Sequence, residues 1–396
     1  MTAQGSRTGV APASTGGVQS GVGDPAGPPT GGEPDNGGEP DAGSERRYAE
    51  IGDLELESGS VLPSVTMCYQ SWGRLNEAAD NAVLVLHALT GDSHVIGRVG
   101  PDHPTPGWWN GLIGPGATLD QDNLFVIAVN VLGGCRGTTG PSSAAPDGKP
   151  FGSRFPRLTV RDQVNAEAAL ATVLGVRSFR IVVGGSMGGM RAMEWGVMYP
   201  EMVRSVVAIA TTAAASGDQI AWAAPQLAAI RMDPHFAGGN YYEGEFPLAG
   251  MAVARQIAHV TYRSGYELNT RFGRHLQPPV SESGLGQFAV ESYLHYHGRK
   301  LGRRFDPNSY LVLTEAMNSH DLGRGRGGID VALQSISASL TVAVVDSDRL
   351  YTPAEGARIA TARAARPLIT MHSDHGHDGF LIEAEQVEQV VRGALS

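Results

Sequence analysis

A serine flanked by glycines, Gly184-Gly185-Ser186-Met187-Gly188, is the segment of this chain best suited to covalent chemistry. It follows an apolar run at residues 179–183 and precedes a helical pattern that begins at Met187. A G-x-S-x-G between a strand and a helix forces a sharp turn that exposes the serine hydroxyl, and the glycines permit that turn without a steric clash. The pattern predicts that Ser186 is a nucleophile that forms an acyl-serine.

An acid and a histidine that could activate this serine follow two later strand patterns. A serine hydroxyl is a weak nucleophile until a base takes its proton, and a third group must orient that base. Asp348 follows the predicted strand at residues 340–345, with Asp346 as the alternative acid. His377 lies just before the final helical pattern and is the predicted base. Ser186, Asp348 and His377 are therefore predicted to form a catalytic triad.

The tetrahedral intermediate of acyl transfer requires preorganised N–H donors for its oxyanion. We expect one donor to be the backbone N–H of Met187, the residue after the nucleophile. The other is expected in the loop after an early strand, residues 87–91, with Leu89 as the donor. A glycine-rich turn without a catalytic role is the competing interpretation of the motif, and the later acid and histidine argue against it.

Two other groups of side chains admit different chemistry. The cluster His372, His375, His377 and Asp378 has ligand types and spacings that zinc accepts, but the chain contains no HExxH or CxxC, and we expect no metal. Cys135 could be a second nucleophile, although a small buried residue in a tight loop is the favoured interpretation. Its glycine-rich loop, residues 133–140, lacks the lysine of a phosphate-binding P-loop and is interpreted as a structural loop that lines the pocket.

Strand and helix patterns alternate around these residues. Strands are predicted at residues 61–69, 82–87, 124–130, 179–183, 203–210, 340–345 and 367–371, and helices at 160–174, 187–198 and 379–395. This alternation predicts an α/β fold with a mostly parallel, doubly wound sheet. After residue 212 it gives way to helices at 219–231, 251–260, 286–296 and 310–318. We therefore predict a core formed by residues 46–212 and 330–396, with a helical cap inserted at residues 213–329.

Composition limits the remaining classes of function. The 396 residues are 41% hydrophobic with a net charge of −10, and the absence of a basic stripe predicts no nucleic-acid partner. No apolar run is long enough to span a membrane and no secretory signal is recognisable, so we expect a cytoplasmic protein without a membrane partner. Only two cysteines occur, which predicts no disulfide framework. Residues 1–45, rich in glycine and proline, are expected to be disordered.

Six segments, in order within residues 48–395, together resemble the homoserine O-acyltransferases of the α/β-hydrolase superfamily. They are HALTGDSH (87–94), NVLGGCRGTTGP (130–141), GGSMGGM (184–190), ARQIAHVTYR (254–263), DSDRLY (346–351) and GHDGFL (376–381). The resemblance implies the α/β-hydrolase fold and no permanently bound cofactor. It also implies a two-step transfer from the co-substrate acetyl-CoA, through an acetylated serine, to the hydroxyl of L-homoserine in methionine biosynthesis.

The resemblance also implies roles for side chains outside the triad. Arg255 would bind the carboxylate of the acceptor and Asp378 its ammonium group, with Tyr262 and Thr90 near the substrate. A solvated helix face for Arg255 and a packing role in the cap for Tyr262 are the alternatives. A homodimer joined through the helical insertion is implied as well. Succinyl-CoA as donor, serine as acceptor, and water as acceptor in an esterase or thioesterase remain open.

Overall fold

The computed structural model describes residues 45–100, 103–278 and 286–396. The tail predicted to be disordered, residues 1–45, lies outside the described residues except for Glu45. Among the described helices, none is both long enough and apolar enough to span a bilayer.

Strands of the described chain form one large sheet and one small hairpin. They are β1 (Arg47–Glu55), β2 (Val61–Trp72), β3 (Ala82–Leu86), β4 (Phe125–Val129), β5 (Phe179–Gly185), β6 (Ser205–Ile209), β7 (Leu276–Gln277), β8 (Gln287–Phe288), β9 (Ser339–Val345) and β10 (Ile369–Met371). The large sheet has the order β1-β2-β4-β3-β5-β6-β9-β10. It is antiparallel from β1 to β4 and parallel from β4 to β10, while β7 and β8 pair separately. The predicted mostly parallel sheet is confirmed.

Helices connect these strands. They are α1 (Val160–Val173), α2 (Met187–Met198), α3 (Gly217–Met232), α4 (Leu248–Tyr262), α5 (Gly265–Phe272), α6 (Ala289–Gly302), α7 (Pro307–Asn318), α8 (Ile329–Ser335), α9 (Pro353–Ile359), α10 (Gly379–Ile382) and α11 (Ala384–Leu395). The start of α1 follows its sequence signal, because Thr159 and Asp162 form a reciprocal capping box.

Both faces of the sheet are buried, which explains the continuous apolar runs in its central strands. Along β3, Leu84 packs in a cluster with α1, α2 and α8, whereas Val83 and Val85 pack in a second cluster with α11. Side chains alternate between the two faces of a strand, so a strand covered on both sides requires apolar residues at every position. This two-sided packing makes the sheet a rigid platform for the loops at its carboxyl edge.

Several parts of the fold differ from the sequence predictions, among them helix α8, the β7–β8 hairpin, and the helix predicted at residues 286–296, which begins only after β8. Strand β1 was not predicted, because its half-exposed residues follow no clean alternation and its pairing with β2 is irregular around Gly52. Helix α5 was also missed. The helix predicted at residues 379–395 is divided at Glu383, whose backbone is not helical (φ −83°, ψ 64°).

Helices α3 to α7 lie between the adjacent parallel strands β6 and β9 in the chain. A buried cluster joins these helices to the loops at the carboxyl edge of the sheet. It contains Leu89, Val131 and Met187 from those loops and from the start of α2, together with Leu227, Ile230, Met251, Ala254, Leu301, Phe305, Tyr310, Leu311 and Leu313. The helical segment therefore packs directly on the two predicted oxyanion donors.

Candidate active site

The predicted nucleophile occupies a strained turn between β5 and α2. Ser186 has φ 57° and ψ −122°, a conformation that is costly for a residue with a side chain and typical of functional turns. A Cβ at Gly188 would lie 2.1 Å from the carbonyl oxygen of Leu86, and one at Gly184 would lie 2.4 Å from the carbonyl carbon of Gly188. The glycines are therefore required by the close approach of α2 to β3, and they permit the turn that presents Ser186.

A continuous hydrogen-bonded series joins the three predicted triad residues. His377 Nε2 lies 3.0 Å from Ser186 Oγ, and His377 Nδ1 lies 2.7 Å from Asp348 Oδ2. The three residues are 3–4% exposed, although they lie far apart in sequence. They follow β5, β9 and β10, whose carboxyl ends meet at one edge of the sheet. This arrangement can activate a serine hydroxyl by general-base catalysis.

Asp348, rather than Asp346, has the geometry to orient the imidazole. Its Oδ1 accepts hydrogen bonds from the backbone N–H groups of Leu350 (2.8 Å) and Tyr351 (3.0 Å), which leaves Oδ2 directed at His377. Asp346 instead pairs with the exposed His372 at 2.8 Å. The alternative acid is thus engaged away from the nucleophile.

The environment of His377 favours its protonated form. Burial acts against the charged imidazole, but the charge of Asp348 and its hydrogen bond outweigh burial, so the pKa of His377 lies above its ordinary value. The ring of Tyr351 lies 5.0 Å from that of His377, and the ring of Tyr262 lies 5.8 Å from it on another side. The imidazole is therefore held by aromatic packing as well as by its two hydrogen bonds.

The structure brings the two predicted oxyanion donors close to the nucleophile. Met187 follows Ser186 directly, and Leu89 packs in the same buried cluster as Met187. Within the part of the chain that the structure describes, neither backbone N–H donates to an acceptor. The carbonyl oxygen of Ser186 accepts a hydrogen bond from Thr211 Oγ1 at 2.8 Å, which fixes the peptide between Ser186 and Met187.

Arg255 and Tyr262, both on α4, form a stacked pair beside the triad. The guanidinium carbon of Arg255 lies 5.2 Å from the centre of the Tyr262 ring, which in turn packs near His377. Arg255 Nη1 is buried and finds no hydrogen-bond partner among the described residues. A buried guanidinium donor without an acceptor is suited to bind an anionic group of a ligand.

Asp378 and Thr90, the other predicted binding residues, already have protein partners. Asp378 Oδ2 lies 3.2 Å from Arg263 Nη2, and Arg263 also pairs with Glu267. The carbonyl oxygen of Thr90 accepts from Arg304 Nη1 at 3.1 Å. Asp378 thus adjoins the triad through His377, but its charge is shared with an arginine that the sequence analysis did not single out.

The other reactive side chains are held in structural contacts. His375 lies 3.4 Å from Glu267, and no cluster of three or more potential metal ligands occurs among the described residues. Burial raises the pKa of the Cys135 thiol to about 11, and its sulfur accepts from the N–H of Asp306. Thr138 and Thr139 hydrogen-bond to the backbone of β2, so the glycine-rich loop is tied to the sheet.

Sequence reasoning missed a buried network beneath the site. Arg191 on α2 pairs with Glu167 on α1, and Trp195 donates to the same carboxylate at 2.8 Å. Charged residues inside apolar helical patterns were the available signal, since such residues are rarely buried unless paired. Tyr351, whose ring packs against that of His377, lies in the segment at residues 346–351 but was not singled out there.

A mostly parallel sheet that carries nucleophile, acid and base, in this order, after separate strands defines the α/β-hydrolase class. Residues 81–360 match the family model described as alpha/beta hydrolase fold. A homoserine O-acetyltransferase of Thermobifida fusca (strain YX) is 55% identical over 356 residues, which cover 89% of this chain and 94% of that protein. A homoserine O-acetyltransferase of Leifsonia xyli subsp. xyli is 52% identical over 351 residues (86% and 87%).

Two solved structures have the same fold as this chain. The homoserine O-acetyltransferase from Bacillus anthracis is 26% identical, with a TM-score of 0.82 and coverage of 89% of this chain and 97% of that one. Esterase E22 is also 26% identical, with a TM-score of 0.81 and coverage of 89% and 100%. The chain therefore belongs to the homoserine O-acetyltransferases, an acyltransferase family within the α/β-hydrolase fold, as the six sequence segments predicted.

Proposed function

We propose that this enzyme transfers an acetyl group from acetyl-CoA to the hydroxyl of L-homoserine through an acetylated Ser186. The observation that carries the proposal is the hydrogen-bonded series of Ser186, His377 and Asp348 beside Arg255, whose buried Nη1 has no hydrogen-bond partner among the described residues. The series supplies the acyl-transfer chemistry, and the guanidinium supplies a site for the carboxylate of an amino acid. The names of the relatives at 50–55% identity support the same reaction.

In the first step, His377 Nε2 takes the proton of Ser186 Oγ while Oγ attacks the thioester carbonyl carbon. The oxyanion that forms accepts hydrogen bonds from the N–H groups of Leu89 and Met187. The carbon–sulfur bond then breaks, the thiolate takes the proton from His377, and CoA leaves an acetyl-serine behind. Asp348 stabilises the imidazolium during this step.

In the second step, the homoserine hydroxyl takes the place of the thiol. His377 removes its proton, the alkoxide attacks the acetyl-serine, and the same oxyanion donors stabilise the second tetrahedral intermediate. Collapse returns the proton to Ser186 and releases O-acetyl-L-homoserine. CoA leaves before homoserine reacts with the acetyl-serine, so the kinetics are ping-pong. Acetyl-CoA is a co-substrate, and no permanently bound cofactor takes part.

Selection of an amino acid over water requires contacts with its charged groups. We assign the carboxylate to Arg255 and the ammonium group to Asp378, with Tyr262 and Thr90 beside them. Arginine pairs well with carboxylates because its N–H groups match their geometry. The ion pair of Asp378 with Arg263 leaves this carboxylate near the triad while holding its position.

The decisive experiment measures CoA release by the purified protein with and without homoserine. We expect release that depends on homoserine, with a matching amount of O-acetylhomoserine detected by mass spectrometry. Parallel reactions with succinyl-CoA and with serine test the donor and the acceptor. Equal CoA release in the absence of homoserine would contradict the transferase proposal.

A second candidate function is ester hydrolysis with the same triad. It is favoured by the similarity to esterase E22, whose fold is as similar to this chain as that of the acetyltransferase from Bacillus anthracis. Hydrolysis of p-nitrophenyl acetate that homoserine does not redirect to O-acetylhomoserine would support it.

The cellular and quaternary context is also proposed. We place the enzyme in the cytoplasm and in methionine biosynthesis, as a homodimer joined through the helical cap at residues 213–329. The cap exposes large apolar side chains, including Trp222 (39%), Met232 (81%) and Tyr266 (63%), which a dimer interface would cover. Sedimentation equilibrium at micromolar concentration tests the dimer.

A further inference from the structure

Two arginines, Arg136 and Arg304, lie beside the loop that carries the proposed oxyanion donor Leu89. Arg304 Nη1 donates to the carbonyl oxygen of Thr90 at 3.1 Å, and Arg136 Nε lies 3.9 Å from Asp92 Oδ2. Thr90 directly follows Leu89, so Arg304 contacts the peptide next to the proposed oxyanion donor. The pair therefore adjoins the reacting centre without belonging to the triad.

Donors of Arg136 lack acceptors in the described part of the chain, and neighbouring arginines act on the charge of Arg304. Nε and Nη2 of Arg136 are buried without a hydrogen-bond partner among the described residues, and the Arg136 side chain is 17% exposed. Burial, followed by the charges of Arg255 and Arg136, lowers the pKa of Arg304 to about 10, while Asp92 acts in the opposite direction. Buried guanidinium donors without acceptors are costly, which favours an anionic partner.

We propose that Arg136 and Arg304 form an oxoanion subsite, adjoining Arg255, that binds a carboxylate or phosphate group of a substrate. The proposal deepens the proposed function, since both substrates of that reaction are anionic. Carboxylates and phosphates present the same paired oxygens to a guanidinium fork. The α-carboxylate of the acceptor and the phosphates of the acyl donor are the two sources of this chemistry.

The test measures whether Arg304 contributes to kcat/KM only when a substrate carries its anionic group. Wild type and Arg304→Gln are assayed with homoserine against 3-amino-1-propanol, which lacks only the carboxylate. They are also assayed with acetyl-CoA against S-acetylpantetheine, which keeps the pantetheine arm and lacks the phosphates and the adenosine. We expect Arg304→Gln to reduce the ratio of kcat/KM values at least tenfold in one of these pairs, and Arg304→Lys to restore part of it. The affected pair identifies which substrate occupies the subsite.

A ratio between two substrates of one variant does not depend on the fraction of folded enzyme, so partial unfolding does not mimic the effect. Arg303→Gln is the matched control, because Arg303 is the exposed neighbour at the end of α6, and it should leave both ratios unchanged. If Arg304→Gln lowers kcat/KM equally for all four substrates, or for none, the subsite does not exist. If the wild-type enzyme does not acetylate homoserine, the proposed transfer reaction is wrong. The comparison of the two acetyl thioesters would still test the subsite.

Discussion

Arg191 on α2 donates from Nη2 to the carbonyl oxygen of His87 at 2.6 Å, which ties the helix after the nucleophile to the loop that carries Leu89. His87 Nε2 in turn accepts from the N–H of Val131 at 3.1 Å. Burial, followed by the charge of Arg191, lowers the pKa of His87 to about 3, so the imidazole is neutral and can accept this bond. Arg191 thus holds the loop at residues 87–91 in a fixed position relative to the helix that begins after Ser186.

Replacement of Arg191 by methionine should be strongly destabilising, because it leaves the buried carboxylate of Glu167 without its charged partner. Loss of one partner of a buried ion pair costs about 3–5 kcal/mol. We also expect kcat to fall more than KM rises, since the loop that carries Leu89 loses its support. Urea unfolding and steady-state kinetics measure the two effects. The control is Arg204→Met, which removes an exposed pair with Asp80 and should change stability little. Similar unfolding midpoints for the two variants would contradict a supporting role for Arg191.

Substitution of Ser186 by alanine should abolish acetylation of the enzyme, because Ser186 Oγ is the hydroxyl that the base His377 contacts. We expect kcat to fall by about 10⁶. Intact-protein mass spectrometry after addition of acetyl-CoA measures the acetyl increment. Cys135→Ala is the companion variant and should still acquire the label, since the raised pKa of this thiol keeps it protonated at neutral pH. Label on the Ser186→Ala protein would instead identify another nucleophile.

The pH dependence of catalysis should reflect the raised pKa of His377. The imidazole must be neutral to accept the serine proton, so kcat/KM should fall as pH drops through a midpoint above 6.5, the ordinary value. In Asp348→Asn the charge that opposes burial is lost, so the midpoint should move to lower pH and the rate should fall by about 10⁴. Profiles with p-nitrophenyl acetate measure both changes. Asp346→Asn should leave the midpoint in place, and an unmoved midpoint in Asp348→Asn would contradict the assignment of the acid.

Replacement of Gly188 by alanine should prevent the native packing of α2 on β3. The new Cβ would lie 2.1 Å from the backbone oxygen of Leu86, and neither backbone can move without disturbing the sheet or the elbow. We expect little folded protein or a large loss of acetylation, measured by circular dichroism and by mass increment. Gly393→Ala in α11 meets no atom within 4 Å and should raise stability by about 0.5–1 kcal/mol. Normal acetylation of Gly188→Ala would show that the elbow tolerates a side chain.

Much of the catalytic geometry follows from local patterns in the sequence. The strands before Ser186 and Asp348 contain short apolar runs, which are recognisable because a strand buried on both faces is apolar at most successive positions. The glycines around Ser186 are needed because a Cβ at these positions would clash with nearby backbone atoms. Together with the motif order, these signals were enough to predict the α/β fold, the nucleophile and its base.

Other features depend on contacts between residues far apart in the chain, and only the tertiary structure decided them. The choice of Asp348 over Asp346 rests on which carboxylate meets His377, and two residues of separation do not reveal that in sequence. The pairing of Asp378 with Arg263 likewise depends on how α4 packs against the loop after β10. Charges and hydrogen bonds act through space, so the sequence determined which groups can do chemistry and the fold decided which of them meet.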